Sequence, residues 1–175
     1  MYSYLTLRWP REDEEEEFLR AHRATSPEVP SFLHHYTEGM SFGRYLEVLA
    51  EQEQGIDLPS AHVPETFLFA FVGSRIVGRT SIRHSLNEYL ERMGGHIGYV
   101  VVPEFRRQGY ATVILQLSLQ IAREKCGGVS RVLVTCDDDN VGSIRTIEKN
   151  GGILENVVSG QGLDKPKRRY WIDLV

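Results

Sequence analysis

The spacing of apolar residues changes period repeatedly along the chain, and each change marks an element. Tyr2 to Arg8 alternates loosely at period two and predicts a first strand. Pro10 then precedes the run Glu12-Asp13-Glu14-Glu15-Glu16-Glu17, which leads straight into Phe18 and Leu19. Carboxylates complement the positive end of a helix dipole, so this run predicts a helix start rather than a disordered acidic tail. Ser26, Pro27, Pro30 and Gly39 mark a loop, after which Phe42, Leu46, Leu49 and Ala50 recur at helical spacing as far as Gly55. Thr66 to Val72 and Ile76 to Arg83 are apolar and β-branched and flank Gly73-Ser74, the signature of an antiparallel hairpin.

Ser85 to Met93 reads as a short helix or lid, and Gly94-Gly95 releases the chain into a strand from His96 to Val102. Pro103 cannot donate to a sheet ladder, so pairing stops there. From Gln108, the residues Ala111, Ile114, Leu115, Ser118, Ile121 and Ala122 share one face of a helix that ends near Lys125, ahead of Gly127-Gly128. Arg131 to Cys136 predicts a buried strand and Asn140 to Asn150 a helix with Gly151 beyond it. Ile153 to Ser159 and Arg168 to Leu174 predict a closing strand pair. The order is mixed α/β, with strands outnumbering helices, and it predicts one domain over residues 1–175.

Composition narrows the function classes. With 41% hydrophobic and 25% charged residues the chain has the make-up of an ordinary globular domain. A net charge of −4 argues against a nucleic-acid surface, which needs a basic stripe. No targeting or membrane-length apolar segment opens the chain, and Cys126 and Cys136 lie outside any Cys-x-x-Cys spacing, so a cytoplasmic protein with no membrane partner is expected. Six histidines show no ligand spacing; no metal is expected, and His34-His35 reads as a polar surface loop.

The candidate chemistry begins at Tyr99-Val100-Val101-Val102-Pro103-Glu104-Phe105-Arg106-Arg107-Gln108-Gly109-Tyr110-Ala111-Thr112. An apolar strand, a proline stop and a basic glycine-bearing turn feed a helix. The first N–H groups of a helix lack partners and carry the positive end of its dipole, so such a turn can cradle a pyrophosphate. Gly109 and Ala111 are small enough for close backbone approach. A nucleotide P-loop is excluded because no Gly-Lys pair occurs, and a dinucleotide fingerprint needs three glycines where this turn has one.

Arg106, Gly109 and Ala111 fill the pattern Arg/Gln-x-x-Gly-x-Gly/Ala, which resembles the acetyl-CoA signature of the GNAT N-acetyltransferase superfamily. A second stretch, Asp137 to Gly152, resembles the later signature of that family, in which an asparagine and a small residue three positions on (Asn140 and Ser143) open a helix ending Glu-Lys-x-Gly. The resemblance runs from about Thr66 to the C-terminus. It implies a mixed, mostly antiparallel sheet flanked by helices, with a splayed strand pair holding the coenzyme. Acetyl-CoA is the implied co-substrate, bound by Tyr99, Val100 and Val101 on the strand, by Arg106, Arg107, Gln108, Gly109, Tyr110, Ala111 and Thr112 in the cradle, and by Asn140 and Ser143. The implied partner is a primary amine of a small molecule, peptide or protein, selected by the two early helices, Ser85 to Met93 and the loop Gly160 to Lys167. A homodimer is left open.

Two departures from the family pattern concern proton transfer. An amine of pKa near 10.4 must lose a proton at pH 7, at a cost of roughly 4–5 kcal/mol. The position at which the family commonly places a carboxylate holds Gly95, which leaves the adjacent His96 as a candidate base and Glu88, acting through water, as a second. Ile147 stands where the family often has the tyrosine that protonates departing coenzyme A. A non-catalytic acyl-CoA-binding sensor or interaction module is therefore the alternative function.

Overall fold

In the computed structural model, which describes residues 4–160 and 163–174, the strands fall into two separate antiparallel sheets. The first carries β1 (Leu5–Arg8), β2 (Glu65–Val72), β3 (Arg75–Arg83) and β4 (Ile97–Val101) in that order. The second is ordered β5 (Arg131–Asp137), β7 (Lys167–Asp173), β6 (Ile153–Val158). Four helices cover them: α1 (Glu15–Thr25), α2 (Phe42–Gln54), α3 (Tyr110–Lys125) and α4 (Val141–Lys149).

The first sheet is covered on one face by α1 and α2, and its other side shares a core with the second sheet. Phe67, Phe69 and Phe71 alternate along β2 and bury one face against Phe18, Phe42, Tyr45 and Leu49 of α1 and α2. At roughly 1.5–3 kcal/mol for each fully buried aromatic or aliphatic side chain, this period-two stripe fixes the register of the strand. On the other side, Leu115 and Ala122 of α3 pack with Ile147 of α4 on Val132, Val134, Tyr170 and Ile172. The strand β6 lies at the edge of the second sheet, with Ile153, Leu154 and Val157 exposed.

The acidic run starts a helix, as the sequence predicts, but two of its carboxylates also do structural work. Glu14 is buried and takes both guanidinium nitrogens of Arg8 at 2.7 Å, which holds its carboxyl at about 2, well below the usual range. Glu17 accepts the backbone N–H of Ile76 at 2.7 Å, fastening α1 to the β2–β3 turn. Other boundaries shift. The strand expected from Tyr2 begins at Leu5, with residues 1–3 outside the described range. Ser85 to Met93 is a bend followed by a five-residue π turn, Leu90–Gly94, started by Asn87, whose Oδ1 accepts from the Leu90 N–H at 2.9 Å. Of the loop Gly160 to Lys167, residues 161 and 162 lie outside the described range.

Among the described residues one backbone hydrogen bond joins the two sheets, at His96, and Ile82 and Ile97 of the first pack against Val132 and Val134 of the second. The N–H of His96 donates to the Leu133 carbonyl at 2.7 Å, and the Leu133 N–H donates to Nδ1 of His96 at 2.9 Å. Beyond that residue β4 pairs only with β3 and β5 only with β7, so the two strands part. Gly95 explains why no carboxylate stands beside His96. Its φ is +66°, and a Cβ there would lie 2.5 Å from the Leu133 carbonyl oxygen.

His96 is 4% exposed, and burial lowers its pKa to about 4. The unfolded chain, with an ordinary imidazole near 6.5, binds the proton first. This residue's contribution is therefore complete above pH 6.5 and is lost as pH falls toward 4, by up to about 3 kcal/mol. In a proton NMR titration the His96 ring resonances should stay unshifted between pH 7.5 and 5, and urea unfolding of the His96→Gln variant should depend less on pH across that window.

Close approach also dictates Gly78, where a Cβ would sit 2.4 Å from the backbone oxygen of Val100 and 2.9 Å from Ile114 Cδ1. Backbone cannot yield cheaply, so Gly78→Ala should lower the unfolding free energy by about 1–3 kcal/mol in urea denaturation.

Candidate functional site

The gap between β4 and β5 is lined by backbone as much as by side chains. In the β3–β4 ladder the Arg83 N–H bonds the His96 carbonyl at 2.8 Å, and the Val102 N–H bonds the Val77 carbonyl at 2.9 Å. Antiparallel bonding alternates, so Ile97, Tyr99 and Val101 turn their N–H and C=O groups away from β3 and into the gap. A ligand with amide groups can add there as a strand would.

The gap ends at the start of α3. Pro103 opens a 3-10 turn, Pro103–Phe105, and the chain then passes through Arg107 at φ +61° and Gly109 at φ +84° before the helix begins. Left-handed geometry at Gly109 keeps that residue out of the helix, so α3 begins at Tyr110 rather than at Gln108. Among the described residues nothing accepts from the N–H groups of Gly109, Tyr110 and Ala111, which stand at the positive end of the helix dipole. Arg106 bonds Glu28 at 2.5 Å through Nη1 and the Val101 carbonyl at 3.3 Å through Nε, so a loop after α1 is tied across the mouth of the gap. Arg107 has no ion-pair partner among the described residues.

A cavity of about 640 Å³ runs through this region. Its wall takes Tyr99, Val100 and Val101 from β4, Arg106, Arg107, Gly109, Tyr110, Ala111 and Thr112 from the turn and α3, and Asn140 and Ser143 from the start of α4. Gln108 is not on the wall; its amide donates to the Glu104 carbonyl at 3.2 Å. Val29, Phe105, Gly142 and Thr146 line the cavity without having been singled out in the sequence. Gly142 and Thr146 flank Ser143 at helical spacing, so a helical wheel begun at Asn140 points to them; nothing local marks Val29. Asn140 caps α4, its Oδ1 accepting from the Ser143 N–H at 3.0 Å. Asn150 at the other end of α4 ties it to α3, donating to the carbonyls of Thr146 at 2.9 Å and Thr112 at 3.2 Å.

Ile147 is fully buried in the core of the second sheet and offers no proton. The hydroxyl that does reach α4 from the cavity wall belongs to Tyr99, which donates to the Ser143 carbonyl at 3.4 Å; burial lifts its pKa to about 12, so it stays protonated. His96, a candidate base on sequence grounds, is a structural bracket here: its ring is buried and its Nδ1 already accepts from Leu133.

A second cavity, of about 710 Å³, opens between the 30–36 loop, residues 60–63 and the Asn87 to Leu90 segment. Glu88, the other candidate base, lies exposed on its rim. The expectation that His34 and His35 form a polar surface loop is corrected: both are largely buried on this cavity's wall. His34 Nδ1 and His35 Nε2 bond Glu65 Oε1 at 3.0 and 3.1 Å, so each ring keeps its other nitrogen free of Glu65. Sequence reasoning missed this because the partner is a carboxylate thirty residues away on β2. The two histidines and Glu65 offer donor atoms within 4.8 Å of one another, a spacing a small cation could bridge, but Arg83 Nε lies 3.7 Å from Glu65 Oε2 and sets a fixed positive charge against one.

Comparison with known proteins identifies the arrangement. A family model described as an acetyltransferase (GNAT) domain matches residues 4–153. A sequence comparison with curated proteins finds no match. Among solved structures, the chain is similar to a GNAT-family acetyltransferase from Streptococcus pneumoniae (14% identity, TM-score 0.63, covering 96% of this chain and 98% of that one). It is also similar to RimL, a ribosomal-protein alpha-N-acetyltransferase in complex with coenzyme A (18%, 0.64, 98% and 96%). A third is a spermidine N-acetyltransferase chimera from Vibrio cholerae and a second source (16%, 0.62, 97% and 95%). The chain belongs to the GNAT family of acetyl-CoA-dependent acetyltransferases.

Proposed function

We propose that the protein transfers the acetyl group of acetyl-CoA to a primary amine of a small molecule or peptide. The coenzyme lies in the gap between β4 and β5, with its diphosphate on the amides of Gly109, Tyr110 and Ala111 and its pantetheine arm along Tyr99 and Val101. The single observation that carries this is the run of three unpartnered amides at the end of a parted strand pair. Coenzyme A in the RimL complex and the acetyl-CoA chemistry of the family support coenzyme A as the ligand.

The amine enters through the 710 Å³ cavity beside the gap. Two kinds of group on its wall can take the ammonium proton. Glu88 carries no ion pair among the described residues and reaches the amine through water. His34 is kept neutral by burial, which lowers its pKa, and the nitrogen turned away from Glu65 is free to accept. On the leaving side the Tyr99 hydroxyl, which stays protonated, donates a hydrogen bond to the departing thiolate in place of the family's missing tyrosine, and solvent supplies the proton that makes the free thiol. A thiol of pKa near 8.5 needs this help only modestly, so most of the acceleration comes from orientation of the two reactants.

Isothermal titration should give acetyl-CoA binding well below millimolar, and Gly109→Val should abolish it while the circular dichroism spectrum is retained, because a β-branched residue does not tolerate φ +84° and its side chain would stand over the amides proposed to hold the diphosphate. Release of free coenzyme A thiol over an amine panel should establish turnover. Tyr99→Phe should then lower kcat about tenfold with the KM for acetyl-CoA little changed; an unaltered kcat would remove Tyr99 from the departure of the thiolate.

A further inference from the structure

The face of the first sheet that carries the acceptor cavity contains polar groups that nothing in the fold uses. Gly98 stands opposite Ser81 in the β3–β4 ladder. A Cβ at Gly98 would lie 3.1 Å from Ser81 Oγ and 3.8 Å from Nη1 of both Arg79 and Arg83. Three donors therefore converge on the space left by one absent side chain. Ser81 is fully buried, and its hydroxyl has no partner among the described residues. Burying a hydroxyl without a partner is costly, which marks the position as one awaiting an acceptor.

The charges around it do not balance. Arg79 is 4% exposed; its Nε and Nη2 donate to the carbonyls of Phe32 at 3.1 Å and Ser31 at 3.0 Å, and its Nη1 has no acceptor among the described residues. Arg83 spends its Nη1 on two long contacts, with the carbonyls of Gly94 at 3.3 Å and Gly95 at 3.2 Å. Against these two guanidiniums stands one buried carboxylate, Glu65, 3.7 Å from Arg83 Nε and already bonded to both histidines. One buried positive charge lacks a counter-charge, a costly state unless a ligand supplies the anion.

We propose that the space over Gly98 receives a carboxylate oxygen of the acceptor, so that the substrate is an amine that is also a carboxylic acid. This rests on the acetyltransferase function proposed above. Arg83 lines the large cavity, so the acid group reaches it from the acceptor side while the backbone of the neighbouring Tyr99 faces the coenzyme gap. A charge surplus that exists before any reaction calls for a ligand of permanent charge, which the neutral thioester oxygen is not. The same surplus disfavours a polycationic acceptor of the spermidine kind.

The test uses matched sets of amino acids, their amides and the corresponding decarboxylated amines. In one arm the N-acetylated member of each set is titrated calorimetrically into the protein saturated with coenzyme A, which requires no turnover; in the other, thiol release from acetyl-CoA is followed with the free amines. The carboxylate member of at least one set should be preferred by 30-fold or more in both arms. Ser81→Ala should reduce that preference to below about threefold with acetyl-CoA affinity unchanged, and Arg83→Gln should do the same where it folds. Equal use of amide and acid across the panel, or a preference untouched by Ser81→Ala, overturns the proposal, since an effect on the thioester oxygen alone would slow acid and amide alike. Acid-selective binding without any thiol release would instead overturn the transferase function and leave the carboxylate site standing.

Discussion

A single reciprocal contact governs the architecture: His96 and Leu133 exchange one backbone and one imidazole hydrogen bond, and beyond it the two sheets separate. Had β4 and β5 continued to pair, Tyr99 and Val101 would spend their N–H and C=O groups inside a seven-stranded sheet, and the turn at Gly109 would abut a closed edge. The bracket closes one end of the seam and leaves the other free. It demands Gly95, because a side chain there would strike the Leu133 carbonyl, and it demands an unprotonated imidazole, because Nδ1 must accept. One constraint therefore accounts both for the ligand-sized gap and for the absence of a carboxylate where relatives of the family commonly have one.

Most of the fold was legible because it is written in periodicity. The apolar run from Thr66 to Val72 announces a strand, and the face from Ala111 to Ala122 announces α3; the structure places both elements there. The cleft was legible for a different reason: its residues are contiguous, so strand, turn and helix start can be read in one pass from Tyr99 to Thr112. Asn140 and Ser143 sit one strand further along and were recoverable only through the family resemblance.

The second cavity was not legible, and the cause is physical. His34, His35, Glu65 and Arg83 come from a loop and two strands, and each reads locally as a surface or strand-end residue. Their character arises from burial and mutual charge, which depend on how α1 and α2 lie over β2 and β3 rather than on any short pattern. His96 illustrates the converse. Its position on the strand drew attention as a proton acceptor, yet the nitrogen lone pair that made it attractive is engaged in holding two sheets together.

The ion pair between Arg106 and Glu28 has a kinetic and ionic consequence. Any phosphate approaching that guanidinium must evict a tethered rival whose local concentration is set by a short loop and is on the order of millimolar. Added salt screens the incumbent and the newcomer together. Coenzyme affinity should accordingly vary less with ionic strength than two arginines at the mouth of a cleft would suggest.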